Sequence, residues 1–573
     1  MPSDAGDDEK KEGKSPTEVL DDGTSWEAPI LQLRSLQQFI RIPNPSEPGY
    51  ARQKAQGKLW VRERLDLLLD KGSFAEVGSV TGKPVVNKET GKLESFTPAN
   101  SVIGWGKVRS RKVFVVADDF SVRGGHADGG IHGKAPYGET LARKARVPLI
   151  RLLDGSSGGG SVALYLNIGA TYIPGLAGLG QSMEAMAIVP VASALLGPVV
   201  GLAAAKAVLG HFSVMVKGLS QLFAAGPPIV AQATFETLTK EALGGHHIHG
   251  TNGTVDNIAT SEADALRQIR VFLSYLPSSI FQLPPILRLG SDSSNRREEE
   301  LLRIIPRRRG TGYDVRRLVR LVVDVESDAD GEGTGTGSSF FEIGATWGRC
   351  IVTGFARLDG RPIGILTSDC MFNGGAIDAL GSQKTARFAT LCDHFGVPIL
   401  NLVDQPGFAI GSLAEKAATI RHGATAMSVL YNATTPIFTI ILRRAFGVAG
   451  SVFADPNDGN GLRVAWPSGD WGSLPLEGGV EAAYKRQLDS APTPEAREEL
   501  MRRLLEQFEE VRSPVKTAHI FGVQEIIDPR DTRRLACEWA EHVYEHVLPQ
   551  LCTVRQSRYG YDAMLSAGRG YKL

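Results

Sequence analysis

The chain has 573 residues, and its 63 lysines and arginines balance 63 aspartates and glutamates, so the formal net charge at pH 7 is zero. A chain of this length has room for more than one domain and for a large core, while its balanced charge gives no support for binding to nucleic acid or to an anionic membrane. The five cysteines show neither a CxxC pair nor zinc-ligand spacing, which favours a reducing compartment.

The amino-terminal sequence MPSDAGDDEKKEGKSP is polar and acidic. It has neither the apolar core of a signal peptide nor the arginine-rich character of a transit peptide, and residues 1–55 are predicted to form a partly disordered extension. Residues 551–573 are predicted to form a tail whose last residues, GYKL, match a peroxisomal address only in part, because Tyr571 stands where serine belongs. We expect a cytoplasmic location, with mitochondrion and peroxisome as open alternatives.

Two apolar runs rich in β-branched residues come next, Arg111–Asp119 (RKVFVVADD) and Val147–Asp154 (VPLIRLLD), with a helical pattern at Glu139–Ala145 between them. Nearly continuous apolar strands in strand–helix–strand order are typical of a parallel sheet that is covered on both faces. The sequence therefore predicts an α/β fold.

An uncharged stretch, Ala185–Ala205, is long enough for a membrane span. It is rich in alanine and glycine rather than leucine and phenylalanine, and Pro190 and the pair Gly197–Pro198 divide it. We interpret it as a buried strand, a turn and a buried helix, and we expect no membrane span.

Two polar features follow. The histidines of GGHHIHG, which are His246, His247 and His249, have no cysteine or carboxylate pair at ligand spacing, so a structural loop is favoured over a metal site and no metal is predicted. The arginine run within Arg303–Asp314 is interpreted as a solvated surface element rather than a ligand site. Proline and glycine interrupt the pattern there, and a domain boundary is predicted between residues 312 and 313.

The second half of the chain repeats the first. A shift of 250 places residues 104–154 on residues 354–404 without a gap, and 13 of the 51 aligned pairs are identical. Pro190 and Gly201 match Pro436 and Gly447 at a shift of 246. Two homologous domains are therefore predicted, residues 56–312 and residues 313–550.

The repeat transfers the predicted elements to the second half, with strands at Arg361–Asp369 and Val397–Asp404 and a helix at Ser382–Phe395. Upstream, GSFAEV (72–77) resembles SSFFEI (338–343) at the larger shift of 266. The acidic, glycine-rich segment 326–337 explains the difference as a loop insertion.

Glycine-rich turns follow strands in both halves, at Gly158 and Gly159 in LLDGSSGGGSV and at Gly447, Val448 and Ala449 in FTIILRRAFGVAG. Such turns can direct successive backbone N–H groups at one ligand oxygen, as an oxyanion hole requires. The alternative is that the glycines only satisfy tight turns. The sequence has no Walker loop, no dinucleotide fingerprint and no nucleophile elbow in a convincing context, so these turns are the candidate site.

At these residues the sequence resembles the carboxyltransferase subunits of the biotin-dependent acyl-CoA carboxylases, those for propionyl-CoA, acetyl-CoA and methylcrotonyl-CoA. The similarity runs from about Trp60 to Leu548. Its motifs, in family order, are RERLDLLLDKGSF (62–74), GPPIV (226–230), LGG…H (243–249), YDVR (313–316), DQPGF (404–408), IRHGA (420–424) and RRAFG (443–447). The resemblance implies two crotonase-like domains and a homohexamer in which the first domain of one subunit faces the second domain of another.

The resemblance also implies a reaction, the transfer of a carboxyl group from carboxybiotin to the α-carbon, or the vinylogous position, of an acyl-CoA. Gly158 and Gly159 would hold the thioester carbonyl and its enolate, while Val448 and Ala449 would polarise the ureido carbonyl of biotin. The biotin ring would take the substrate α-proton, so no side-chain base is needed. The cofactor-binding residues implied by the family are Phe446, Gly447 and Ser451.

Biotin is expected to arrive on a biotin carboxylase or biotin carrier subunit, because no methionine in the chain is followed by lysine, as a biotinyl-lysine motif requires. Three positions depart from the family pattern: Val448 replaces a usual glycine, Ser451 occupies a position linked to acyl-chain preference, and Ala465–Gly479 continues differently. These departures concern the substrate more than the reaction.

Three other functions stay open. A decarboxylase or transcarboxylase subunit would run the same half-reaction backwards. A crotonase-fold hydratase or CoA hydrolase would need a carboxylate pair near the glycine turns, and a structural role is favoured for the candidates Asp154 and Asp404. A non-catalytic hexameric scaffold is the third alternative, and Val448 is the feature in its favour.

Overall fold

A computed structural model describes residues 23–89, 93–126, 129–156, 165–166, 169–171, 173, 175–176, 178–287, 292–326, 333–456 and 461–558. Gly158 and Gly159 therefore lie outside the described residues. The strands in chain order are β1 Ala75–Val77, β2 Gly82–Val86, β3 Leu93–Pro98, β4 Ser101–Val108, β5 Arg111–Asp118, β6 Leu149–Ser156, β7 Val191–Val200, β8 Phe212–Val216, β9 Gln221–Phe223, β10 Asn257–Ala259, β11 Phe341–Ile343, β12 Ile351–Leu358, β13 Arg361–Ser368, β14 Ile399–Gln405, β15 Ile437–Phe446, β16 Arg463–Ala465, β17 Asp470–Gly472 and β18 Glu525–Ile526.

The helices in chain order are α1 Glu27–Arg41, α2 Pro48–Ala55, α3 Val61–Leu68, α4 Lys134–Ala145, α5 Leu179–Met186, α6 Leu202–Val208, α7 Pro227–Thr234, α8 Lys240–Gly244, α9 His246–His249, α10 Glu262–Tyr275, α11 Val315–Val322, α12 Ala379–Phe395, α13 Ser412–Lys416, α14 Thr419–Asn432, α15 Gly447–Ala454, α16 Leu476–Ala483, α17 Lys485–Asp489, α18 Pro494–Val511, α19 Pro514–His519, α20 Thr532–His542 and α21 Leu548–Arg558. Short 3-10 turns occur at Arg123–Gly125, Glu299–Leu302, Asn373–Gly375 and Pro529–Asp531, and a π-turn at Val543–Val547.

The two halves of the chain form two sheets with the same strand order. The first sheet runs β1-β4-β5-β6-β7-β8-β10, with β9 paired to β7, and the second runs β11-β12-β13-β14-β15-β16-β18, with β17 paired to β15. In each sheet the first three strands pair antiparallel and the following pairs are parallel. The predicted α/β fold is confirmed, and the predicted strands and helices lie at β5, β6, β13, β14, α4 and α12.

The duplication extends to individual contacts. Lys134 donates a hydrogen bond to the carbonyl oxygen of Gly78 at 3.1 Å, and Lys384 donates to that of Gly344 at 2.7 Å. The parallel ladder is irregular at the same place in both sheets, between residues 153 and 155 and between residues 403 and 405. Irregularities of this kind re-aim a strand end, so the same bend is built into both halves.

One hydrophobic core joins the two sheets. Phe212 of β8 stacks on Phe272 of α10, with ring centroids 4.6 Å apart, and Phe272 lies 6.0 Å from Phe355 of β12. Phe355 in turn lies 5.5 Å from Phe388 of α12. Large aromatic side chains that are fully buried contribute roughly 1.5–3 kcal/mol each through burial, so this row favours one fixed arrangement of the two sheets.

The uncharged stretch near residue 190 folds as the sequence predicts. It supplies the end of α5, the buried strand β7, a turn at Gly201 and the first turns of α6. Among the helices that the structure describes, none is both long enough and apolar enough to cross a membrane.

Candidate active site

The turn from β15 into α15 is the centre of the candidate site. Gly447 has φ of 61°, a left-handed backbone conformation that a residue with a side chain adopts only with strain, so glycine is required where the strand turns sharply into the helix. Val448 and Ala449 follow in the first turn of α15. The first N–H groups of a helix have no partner within it, and in the described part of the chain no backbone or side-chain acceptor caps these two.

The exposure of these residues suits a ligand site. The side chain of Val448 is 60% exposed, whereas Ala449 is 2% exposed and packs in the core. An uncapped helix start also carries a partial positive charge from the peptide dipoles. Two adjacent N–H donors at an accessible helix start can therefore stabilise negative charge on one oxygen atom, which is what an oxyanion hole does.

The three predicted cofactor-binding residues lie at the same turn. Phe446 is the last residue of β15, is buried, and pairs with Gly472 of β17. Gly447 forms the turn itself. The hydroxyl of Ser451 donates a hydrogen bond to the carbonyl oxygen of Gly447 at 3.0 Å, so it reinforces the first turn of α15 from an exposed position.

A buried carboxylate fixes the end of β15 that leads into this turn. Asp404, at the end of β14, accepts hydrogen bonds from the backbone N–H of Arg444 at 3.1 Å and from the Arg444 Nε at 2.6 Å. Its other oxygen accepts from Arg443 Nη2 at 2.9 Å and from the Tyr313 hydroxyl at 3.1 Å. Burial opposes the charged form, yet the two guanidiniums hold the pKa of Asp404 below its usual value. Asp404 therefore positions the strand as a fixed anion, in agreement with the predicted structural role.

A cavity of about 800 Å³ opens beside Phe446. Its wall contains more cations than carboxylates. The cations are Arg307, Arg309, Arg443, Arg444 and Arg512, and the carboxylates are Asp470 and Glu509. Arg309 is paired with Asp470 at 3.3 Å and lines this cavity. The arginine run that the sequence assigns to solvated surface thus borders the cavity next to the candidate site.

The first half contains the same strand-to-helix turn at Gly201. Strand β7 ends at Val200, α6 begins at Leu202, and Gly201 has φ of 65° and ψ of −125°, so both turns use a glycine at positive φ. The shift of 246 places Gly201, Leu202 and Ala203 on the Gly447 turn. The structural equivalent of the Gly447 turn is therefore the Gly201 turn rather than Gly158 and Gly159, which follow β6.

A buried anion also lies beneath the Gly201 turn, but its cations come from elsewhere. Asp154 lies 2.6 Å from the Lys58 Nζ and 2.8 Å from the Arg64 Nη2, and all three side chains are buried. The strand positions that carry Arg443 and Arg444 in the second half are Gly197 and Pro198 here. A side chain at Gly197 would collide with the Asp154 carboxylate and with Lys58, so glycine leaves room for cations from the α2–α3 segment.

Comparison with known proteins shows which family the chain belongs to. Residues 52–555 match the family model of the carboxyl transferase domain. The chain belongs to the carboxyl transferase family. The resemblance seen in the sequence is thus confirmed over most of the chain.

Three similar members of this family illustrate its range. The chain is 34% identical over 499 residues to the propionyl-CoA carboxylase carboxyltransferase subunit of Haloferax mediterranei, covering 85% of this chain and 90% of that one. It is 32% identical over 490 residues to the mitochondrial propionyl-CoA carboxylase beta chain of Sus scrofa, covering 85% and 86%. It is 31% identical over 494 residues to the methylmalonyl-CoA decarboxylase subunit alpha of Veillonella parvula, covering 85% and 90%.

A solved structure supports the same assignment. The carboxyl transferase chain superposes on transcarboxylase 12S with a TM-score of 0.78 and 27% identity, covering 92% of this chain and 97% of that one. That protein is described as a hexamer with methylmalonyl-coenzyme A and methylmalonic acid bound. With two sheets of one topology, the likeness confirms the predicted duplicated crotonase-like fold.

Proposed function

We propose that this chain transfers a carboxyl group from carboxybiotin on a partner protein to the α-carbon, or the vinylogous position, of an acyl-CoA. The observation that carries the proposal is the pair of uncapped amides at Val448 and Ala449, which sit at an accessible helix start in a chain similar to propionyl-CoA carboxylase subunits. The acyl-CoA is the substrate, biotin is the cofactor carried by the partner, and no metal takes part in the reaction.

The Val448 and Ala449 amides fit the carbonyl of biotin, because a ureido oxygen accepts two hydrogen bonds and no acceptor within the described residues competes for these donors. Carboxybiotin supplies the carboxyl group to be transferred and the ring nitrogen that takes the α-proton of the substrate. The chain then has to hold two oxygen atoms in place. Backbone donors can do this with little reorganisation, because the helix starts that carry them directly follow buried strands.

For the acyl half of the site, we propose the Gly201 turn as a second candidate beside Gly158 and Gly159. Two observations support it: the sequence repeat aligns it with the Gly447 turn, and both glycines adopt positive φ at a strand-to-helix junction. In this arrangement the thioester oxygen and its enolate accept from amides at the start of α6. Gly158 and Gly159, which the family resemblance favours, lie outside the described residues.

We further propose a homohexamer of two-domain subunits, with residues 56–312 as the first domain and residues 313–550 as the second. The similarity to transcarboxylase 12S, which is described as a hexamer, supports this assembly. A biotin carboxylase or biotin carrier subunit is the expected partner, and the cytoplasm is the expected location.

The reverse reaction is the second candidate function. The 31% identity to a methylmalonyl-CoA decarboxylase subunit and the structural likeness to a transcarboxylase favour it, since both use the same half-reaction in the other direction. One site serves both directions, because a catalyst that stabilises the enolate lowers the barrier equally for addition and loss of the carboxyl group.

Incubation of the purified chain with a carboxybiotin donor and a panel of acyl-CoAs tests the proposal. We expect carboxylated acyl-CoA to form with at least one member of the panel. Hydration or thioester hydrolysis without carboxyl transfer would contradict the proposal in favour of a hydratase or hydrolase. No turnover with any acyl-CoA, in an intact assembly, would contradict it in favour of a scaffold.

A further inference from the structure

Glu241, His246 and His247 form a compact cluster on α8 and α9. Nδ1 of His246 lies 3.0 Å from Glu241 Oε1, and Nδ1 of His247 lies 3.6 Å from the same oxygen. One ligand atom from each of the three residues lies within 4.8 Å of the other two. Ligands of a tetrahedral zinc ion stand about 3.3 Å apart, given metal–ligand distances of about 2.0–2.2 Å. The two distances to Glu241 Oε1 are close to this spacing, and the third distance, between the two histidine nitrogens, is at most 4.8 Å.

The fold brings in the carboxylate that sequence spacing does not suggest. Glu241 precedes His246 by five residues, and the break between α8 and α9 at Gly245 folds its carboxylate back onto the histidines. A side chain at Gly245 would collide with that carboxylate, so glycine leaves the space. His249 is not a member of this cluster, whose ligand atoms come from Glu241, His246 and His247, and its Nε2–H donates to the carbonyl oxygen of Leu222 at 2.7 Å.

A neighbouring side chain orients the carboxylate. Gln221 of β9 donates from Nε2 to the Glu241 Oε2 at 3.2 Å, which leaves Oε1 facing the two histidines. Hydrogen bonds to the second atom of a ligand are what fix ligand geometry in metal sites.

We propose that Glu241, His246 and His247 bind one divalent transition-metal ion, Zn²⁺ by preference, with water in the remaining position. Two imidazoles and one carboxylate with an open fourth position form a known zinc ligand set, and imidazole nitrogen suits late transition metals better than Mg²⁺ or Ca²⁺. The three side chains are 37%, 25% and 52% exposed, so the ion reaches them from solvent without rearrangement of the core.

The ion has a structural rather than a chemical role. Strand β9, which carries Gln221, pairs with the end of β7, and the Gly201 N–H donates to the carbonyl oxygen of Phe223 at 3.3 Å. An ion held by α8 and α9 therefore ties these helices together beside the strand that supports the Gly201 turn. The carboxyl transfer proposed above requires no metal, so this site is independent of that reaction.

Cobalt titration of the tag-free, full-length assembly tests the proposal, because tetrahedral Co²⁺ absorbs visible light and Zn²⁺ displaces it. We expect one Co²⁺ per chain at this site, displaced by Zn²⁺, with a Kd far below 1 mM and roughly a tenfold or larger loss of affinity in E241Q and in H246Q/H247Q. Glu241→Gln keeps the shape and a hydrogen-bond acceptor, so its loss of binding reports the ligand rather than the fold.

The double variant H542Q/H546Q is the matched control. These two histidines form a close pair in the second half, with ring centroids 4.9 Å apart, and have no part in the proposed site. The control should retain the zinc-displaceable Co²⁺. The proposal is overturned if the wild type and H246Q/H247Q bind Co²⁺ equally, or if H542Q/H546Q loses binding. It is also overturned if the wild type binds no Co²⁺ up to about 1 mM.

Discussion

At the scale of single residues, Lys384 is a fully buried cation in the second half. Its ammonium donates to the carbonyl oxygens of Gly344, Trp347 and Ile351 at 2.7, 3.2 and 2.6 Å. Burial lowers its pKa to about 8. The three carbonyl oxygens accept from all three N–H bonds of the ammonium group. Lys384 therefore links the first half of α12 to the loop between β11 and β12 and to the first residue of β12.

Lys384→Met should lower the free energy of unfolding by about 2–4 kcal/mol, because buried carbonyl oxygens lose their donor. Lys134→Met is the matched control, since Lys134 occupies the equivalent position in the first half, donates among the described residues only to the carbonyl oxygen of Gly78, and is less buried. The control should cost less than about 1 kcal/mol. Urea unfolding of both variants measures the difference, and equal losses would contradict this account of the contact.

At the scale of elements, the start of α6 tests which first-half turn serves the acyl-CoA. Proline is tolerated in the first turn of a helix, so Ala203→Pro should preserve the fold while it deletes one backbone donor. Loss of an oxyanion-hole donor lowers turnover by about 10²–10³. Ala203→Gly keeps the donor at a cost of up to about 1 kcal/mol in helix stability.

We expect Ala203→Pro to lose turnover at that scale and Ala203→Gly to retain most of it, with acyl-CoA-dependent rates measured on intact assemblies. Gly158→Pro and Gly159→Pro, assayed in parallel, probe the alternative turn. If Ala203→Pro is fully active while Gly158→Pro is not, the acyl half belongs to the turn after β6.

The elements themselves could be predicted because their signals are local or repeated. The apolar runs that form β5, β6, β13 and β14 are continuous in sequence. Because of the duplication, the pattern of β5 and β6 occurs again as β13 and β14. The Gly447 turn was predicted for the same reason, since a glycine after a strand is visible in one segment.

Contacts between distant segments could not be predicted in this way. Arg443 pairs with Asp404 from the neighbouring strand, whereas Asp154 takes its cations from Lys58 and Arg64, far away along the chain. Glu241 lies beside His246 and His247 only because the chain breaks its helix at Gly245, between α8 and α9. The Gly201 turn did carry a sequence signal, the shift of 246, but the role proposed for it rests on its equivalence to the Gly447 turn in the other half.

At the scale of the whole molecule, a pair of histidines lies where the two halves meet. His211, ahead of β8, stacks on His394 of α12 with ring centroids 5.6 Å apart. Burial and the nearby Arg555 cation lower the pKa of His394 to about 4, against about 6.5 in an unfolded chain. Between these two values the unfolded chain binds more protons than the folded one, so this group makes stability fall as the pH falls.

The wild type should therefore lose more stability between pH 7 and pH 5 than His394→Gln does. Glutamine keeps a donor for the carbonyl oxygen of Met186, which His394 contacts at 3.2 Å, but it does not titrate. Urea unfolding at the two pH values gives the comparison. An identical pH dependence in both proteins would show that His394 is not a source of acid lability.

The assembly predicts a second property of the whole chain. Purified alone, it should sediment as a hexamer and carry no covalent biotin, because no methionine in the chain is followed by lysine. Analytical ultracentrifugation and a streptavidin blot measure both features. A fully active monomer, or stoichiometric biotin on this polypeptide, would contradict the proposed division of labour between this subunit and its partner.

We propose that backbone amides at the Gly447 turn bind the biotin carbonyl, and one pair of variants at Val448 tests this proposal most directly. Val448→Gly keeps the N–H donor and costs up to about 1 kcal/mol of local stability, whereas Val448→Pro deletes the donor in the helix turn that tolerates proline best. With both variants confirmed as intact assemblies, carboxyl transfer from the biotin donor should stay within about tenfold of the wild-type rate for Val448→Gly and fall by about 10²–10³ for Val448→Pro. Equal transfer rates for the two variants would contradict the claim.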